Sequence, residues 1–192
     1  MKNIKVAETK YPVLDLMKNR WSTRSFSPKE ISEQEINTLL EAASWAASAN
    51  NEQPWEYVYA HKGTEGFETL KNTLMAGNSP WAKDAAVLVA AIAHTVFNAN
   101  GKPNATALHD LGLANSNLLL QAISINIYAH VMGGFEQDKL RQALDLTEQQ
   151  QAVCVIALGY LDVPEKLEEP YRGREITGRT RKRLNEFSKR LG

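Results

Sequence analysis

A single cysteine, Cys154, stands in the 192-residue chain, so no internal disulfide can form. Its place in the apolar run AVCVIALGY reads as a buried, inert thiol in a reducing compartment. An excess charge of either sign is also lacking: Lys plus Arg and Asp plus Glu both total 22, which argues against nucleic acid or a membrane as the main partner. No segment approaches the ~18 consecutive apolar residues of a membrane span, and the opening MKNIKVAETKYPVLDLMKNR has no uninterrupted apolar stretch of a signal peptide. A cytoplasmic protein is expected. The four histidines (His61, His94, His109, His130) show no metal spacing, and His109 with Asp110 reads as an ordinary surface pair. GxGxxG, Walker and GxSxG patterns are absent.

The hydrophobic fraction of 43% and charged fraction of 23% are those of a globular protein, and the length suits one domain spanning residues 1–192. The positive charge is unevenly placed. From Tyr171 to Gly192 eight basic residues face two acidic ones, a local net of +6 that the rest of the chain balances. This stretch, from about residue 165, has little apolar periodicity and reads as an arm held by contacts.

Strands and helices alternate before it. A short helix is expected over Val13–Asn19, and Ser32 with Glu35 has capping-box spacing ahead of a helix reaching about Ala47. Further helices are expected over Phe67–Met75, Ala105–Ile125 and Asp138–Leu144. Strands are expected over Trp55–His61, Ala86–Ile92, Tyr128–Met132 and Gln151–Tyr160. The GLANSNLLLQAISI part of the long helix is apolar almost all round, as suits a domain centre or a subunit interface. Trp45, Trp55 and Trp81 read as core packing rather than as stacking platforms.

Two segments carry chemistry. In RWSTRSF, Arg20, Ser22 and Arg24 occupy alternate positions, so an extended backbone turns two guanidinium groups and a hydroxyl to one side, where they can converge on a phosphate. Charge-assisted hydrogen bonds of this kind contribute roughly 1.5–3 kcal/mol each. In ASANNEQPW, Pro54 blocks helix continuation, and Asn51 and Gln53 offer donors and acceptors that can read the edge of a heterocycle or simply satisfy the turn. Gly133 and Gly134 suit a close approach of backbone to a planar ligand, or a plain turn after a strand.

The two segments in this order resemble the nitroreductase family of FMN-dependent oxidoreductases. RxSxRxF is matched by Arg20, Ser22, Arg24 and Phe26; PSxxNxQPW is matched by Ser48, Asn51, Gln53, Pro54 and Trp55. MGGF (Met132–Phe135), GYLDVP (Gly159–Pro164) and RTRKRL (Arg179–Leu184) resemble later family stretches. Ala47 and Gly133 depart from the pattern, which commonly has proline and sometimes an acidic residue there, and the usual lysine near the flavin pyrimidine has no counterpart beyond Asn78 nearby.

The resemblance implies an α+β fold with a mainly antiparallel sheet flanked by helices, and an intertwined homodimer whose two FMN sites are built from both chains, with the C-terminal arm extended across the partner. It implies Arg20, Ser22, Arg179 and Arg181 at the FMN phosphate, Arg24 near flavin N1 and O2, Gly133 and Gly134 facing N5, and Asn51 and Gln53 at the ring edge. Asn78 joins the cofactor-binding candidates, as does Trp21 by its place in the segment, at a position the family varies. The implied activity is ping-pong hydride transfer from NADH or NADPH through FMN to an electron-poor acceptor such as a nitroaromatic or quinone, with no protein acid or base required. Two alternatives stand beside it: another redox chemistry on the same fold, such as dehalogenation or oxidative ring formation, and a nucleic-acid-binding module using the basic tail.

Overall fold

Ser32 begins the first long helix as its spacing predicts. Its hydroxyl accepts from the Glu35 N–H at 3.3 Å, and the Glu35 carboxylate accepts from the Ser32 N–H at 2.8 Å. This is seen in a computed structural model of the chain, which describes residues 2–192. The helices are α1 (Lys2–Lys5), α2 (Asp15–Asn19), α3 (Glu33–Ser44), α4 (Glu65–Asn72), α5 (Ser79–Ala82), α6 (Ala107–Ser124), α7 (Gln137–Ala143) and α8 (Tyr171–Ile176). The strands are β1 (Trp55–His61), β2 (Val87–His94), β3 (Ile127–Met132) and β4 (Gln150–Tyr160).

The four strands form one antiparallel sheet in the order β1-β2-β4-β3, with Val58 opposite Ala90, Val89 opposite Ile156, and Ala129 opposite Leu158. Because side chains alternate between faces, β2 feeds two cores at once. Val89 and Ala91 pack with Ile36, Leu39, Leu111 and Leu118 of α3 and α6, while Leu88, Ala90 and Ile92 pack with Phe67, Leu70, Trp81 and Phe135 on the other side. Helices thus cover both faces of a buried sheet, giving the expected α+β fold.

The expected elements are all present, β1 with the expected bounds and the others with shifted ends. The helix expected to reach Ala47 stops at Ser44: the Ala46 N–H bonds the Ala43 carbonyl at 3.1 Å in a tightened last turn, and the Ala49 N–H beyond it is taken by the Asp110 carboxylate at 3.0 Å. That also corrects the reading of His109 and Asp110 as a surface pair. His109 is exposed, but Asp110 is buried and accepts from the Thr106 hydroxyl as well. Burial opposes ionisation of Asp110, but the hydrogen bonds from His109, Ala49 and Thr106 outweigh it and hold its pKa below the ordinary carboxylate value. Trp81 is buried as expected and Trp55 half-buried, but Trp45 is 81% exposed at the end of α3 and packs in no core. Cys154 is buried, and burial pushes its thiol pKa up to about 11. Among the described residues no helix is long and apolar enough to cross a membrane.

The tail carries a helix, α8, that its charge pattern conceals. Lys5 Nζ reaches the carbonyls of Arg174 and Thr177 at 2.9 and 2.6 Å, placing a cation at the C-terminal end of α8, where the helix dipole favours it. Arg179 Nη1 then donates to the carbonyls of Lys5 and Lys18, both at 2.8 Å. The two ends of the chain are therefore stitched together beside α2.

Candidate functional site

The segment after α2 runs extended, and the period-2 alternation is realised. Trp21, Thr23 and Ser25 are buried, while Arg20 and Arg24 are half-buried and Ser22 is exposed. The inward set is anchored at several points. The Thr23 hydroxyl and the Trp21 indole N–H donate to Glu175 of α8 at 2.6 and 3.3 Å, and Ser25 Oγ donates to the Val163 carbonyl at 2.6 Å. His130 of β3 donates from Nδ1 to the Thr23 carbonyl at 2.9 Å, which fixes the neutral tautomer with the proton on Nδ1. Phe26 closes the segment by packing on Gly159, where a Cβ would lie 2.6 Å from its ring.

The Trp21 side chain is thereby turned into the core. It is 4% exposed, its ring meets Tyr128 edge-on at 4.7 Å, and its one polar atom is spent on Glu175. Inward positions of an extended segment belong to the core, so its function is to seat the segment.

The outward set meets the tail. The Arg20 guanidinium pKa is lowered, first by burial and then by the positive charges of Arg179 and Arg181. Arg179 is lowered by burial and by Arg181. None of the ion pairs among the described residues involves these three arginines, so like charges gather with no carboxylate between them. Arg179 is partly committed to the Lys5 and Lys18 carbonyls, while Arg181 is exposed and donates only to its neighbour, the Thr180 carbonyl.

Arg24 has other neighbours. Its guanidinium lies 5.7 Å from the Trp81 ring centroid, and that ring packs on His130 at 4.4 Å. Its pKa is lowered chiefly by burial, against which the Glu175 charge acts. His130 is pushed down to about 4, by burial first, with the Arg24 and Arg20 charges acting the same way and the hydrogen bond to Thr23 opposing them. Three and four residues beyond His130, about 10 Å or more along the strand direction, come Gly133 and Gly134. A Cβ on Gly133 would meet open space, whereas one on Gly134 would lie 2.9 Å from Asn78 Nδ2, which donates to the Gly134 carbonyl at 3.0 Å. Asn78 is therefore joined to the glycine pair.

Asn51 and Gln53 are elsewhere. They sit in a turn in which Asn50, Asn51 and Gln53 have φ of 55, 56 and 52°, a left-handed region that is sparsely populated for residues with a Cβ. The turn is tied through Ala49 to Asp110 in the first turn of α6, whereas Trp21 packs on Ile123 and Tyr128 at the opposite end. Thirteen residues of helix separate those anchors, a rise of roughly 20 Å. Within one chain Arg20, Arg179 and Arg181 lie together, Asn78 is joined to Gly134, Arg24 lies by Trp81, and Asn51 and Gln53 stand apart.

Glu175, His130, Trp81 and Gly159 support the site but were not among the candidates. Glu175 had one signal in the sequence, as an isolated acid inside a run of arginines. The others look like ordinary core residues until the fold packs them beneath Arg24 and Phe26.

Residues 17–74 and 60–160 match the nitroreductase family. A protein of Archaeoglobus fulgidus named NADH dehydrogenase/NAD(P)H nitroreductase is 28% identical over 151 residues, 77% of this chain and 84% of its own. A solved oxidoreductase described as containing FMN superposes with a TM-score of 0.91 at 34% identity, covering 98% of this chain and 96% of that one. A nitroreductase family protein of Streptococcus pneumoniae shares the fold with a TM-score of 0.73 at 22% identity, over 92% of this chain and 98% of its own. The chain belongs to the nitroreductase family.

Proposed function

We propose that this chain binds FMN and works as an NAD(P)H-dependent oxidoreductase, at a site that a second copy of the chain completes. The observation that carries this reading is the unpaired group of Arg20, Arg179 and Arg181. Like charges held together, partly out of water and with no carboxylate among them, destabilise each other unless an anion binds. A phosphate with Ser22 beside it answers that need. The guanidinium of Arg181 is the most available of the three, and Arg20 is the best fixed, because its backbone neighbours are anchored on both sides.

The remaining residues suit the rest of the cofactor. Arg24, braced over Trp81, offers a fixed positive charge where negative charge develops on a ring. Gly133 leaves open space beside the backbone, which permits a planar group to approach closely. FMN held there would supply the hydride chemistry between NADH or NADPH and an electron-poor acceptor such as a nitroaromatic or quinone.

The second copy is supported by the 20 Å gap between the two halves of the site and by the apolar side chains left outside. Leu14, Trp45, Leu108, Leu113, Phe187 and Leu191 are all exposed, the last at 89%. Leu108 and Leu113 lie on one helix, α6, whose exposed side a partner would cover. A dimer would cover it and bring Asn51 and Gln53 to the arginines of the other chain.

Purified protein is expected to carry or take up FMN, to show the oxidised-flavin spectrum, and to bleach anaerobically on addition of NADH or NADPH. Protein that stays colourless in excess FMN would refute the proposal. Anaerobic titration with each nucleotide in turn identifies the donor.

A further inference from the structure

Among the basic side chains around the site lies one buried acid. Glu175 is 0% exposed, and its carboxylate collects three donors from a single stretch of chain: Thr23 Oγ1 at 2.6 Å, the Trp21 indole N–H at 3.3 Å and the Arg24 backbone N–H at 3.0 Å. The Thr23 hydroxyl in turn accepts from the Ser25 N–H at 3.2 Å, so the anchorage runs from residue 21 to residue 25. No ion pair among the described residues includes Glu175, yet its negative charge acts on both Lys5 and Arg24, raising the pKa of each against the effect of burial. A buried carboxylate without a paired cation is costly unless hydrogen bonds satisfy it, and here they do.

The geometry assigns Glu175 as the positioning residue of the site: carried in on α8, it holds residues 21–24 extended so that Arg20 and Arg24 face outward, and it tempers the charge that Arg24 presents. This assignment rests on the flavin reading above. Glutamine cannot replace it, because three donors need both carboxylate oxygens and an amide would set its own NH2 against one of them. Loss of the carboxylate also leaves the Arg24 charge uncompensated, and an uncompensated cation beside the ring favours the reduced, anionic flavin.

Three measurements on the full-length protein test this, using Glu175→Gln, with Glu169→Gln as the control for an exposed carboxylate in the same tail. Before flavin is added, hydrogen exchange of the amides in residues 21–25 should quicken about tenfold in Glu175→Gln. The Kd for FMN, read from quenching of flavin fluorescence, should rise about tenfold. The two-electron potential of the bound flavin should shift upward, which a purely structural residue would not cause. Glu169→Gln should match wild type in all three. A folded Glu175→Gln protein with wild-type affinity and potential overturns the assignment. Should that variant fail to fold, Thr23→Val decides, since it removes the shortest of the three hydrogen bonds and leaves the charge; unchanged exchange in residues 21–25 would then refute the anchoring. Wild-type protein that binds no FMN refutes the flavin reading instead, and amide exchange alone then judges the anchoring by Glu175.

Discussion

Lowering the pH from about 7.5 to about 5 is expected to cost the folded chain about 2 kcal/mol through His130 alone. The folded-state pKa of this histidine is pushed from 6.5 down to about 4, chiefly by burial. Between those values an unfolded chain takes up a proton that the folded chain refuses, so stability is complete above the ordinary value, falls as the pH drops through it, and stops falling near the depressed one. The structure leaves little room for relief. Nδ1 already donates to the Thr23 carbonyl, Trp81 packs against the ring, and the charges of Arg24 and Arg20 oppose a further positive charge. Glu35, Asp110, Asp162 and Glu169, whose pKa values are lowered, also lose stabilisation in acid, but only as the pH falls through the carboxylate range. Urea unfolding at fixed protein concentration across this pH range, on wild type and on His130→Gln, measures the effect. The variant keeps a donor for Thr23 and has no proton to gain. Parallel pH dependence in the two proteins would show that His130 titrates normally and that the packing around it is looser than described.

Arg20→Ala and Arg181→Ala should each weaken FMN binding roughly ten- to a hundredfold, the worth of one charge-assisted hydrogen bond, with little change in melting temperature. Arg179→Ala should lower the melting temperature as well, since its guanidinium also holds the Lys5 and Lys18 carbonyls; equal melting in all three variants would remove that distinction. Gly159→Ala should destabilise the fold by about 1–3 kcal/mol, because its Cβ would enter the Phe26 ring and that ring lies between two packed layers, and chemical denaturation measures the loss. Arg20→Ala and Gln53→Ala chains, each poor in FMN alone, should recover about a quarter of the flavin sites when refolded together, because a mixed dimer holds one site with both residues intact. No recovery on mixing would place Gln53 outside the site.

Much of this was legible from local pattern. The capping box at Ser32 and Glu35 and the limits of β1 follow from interactions a few residues long, and so does the outward facing of Arg20, Ser22 and Arg24. What escaped depends on contacts distant in sequence. Trp21 looks no different from a ligand-facing aromatic until Tyr128 and Glu175 claim it. The chain beyond α3 is held by Asp110, more than sixty residues away, which takes the Ala49 N–H, and Trp45 stands in solvent. A buried carboxylate such as Glu175 carries no local signature, because its burial is a property of the donors that surround it.

The separation of Asn51 and Gln53 from the arginines is of a different kind, because it is imposed by a rigid element. Helix α6 packs between α3 and the sheet, with Leu111, Ala114, Leu118 and Ala122 fully buried, so it can neither bend nor shorten without opening the core. The turn before β1 is fastened to one end of it and the RWSTRSF segment to the other. Movement of either loop cannot close roughly 20 Å while those anchors hold. The left-handed backbone at Asn50, Asn51 and Gln53 points the same way, for strain of about 1–3 kcal/mol per residue persists where the surroundings repay it. Within the chain the Gln53 N–H donates to Ser48 Oγ at 3.0 Å and the Gln53 amide to the Asn51 carbonyl at 3.2 Å, yet both side chains lie exposed. A partner chain placed across the exposed Leu108 and Leu113 of α6 would cover these two side chains as well.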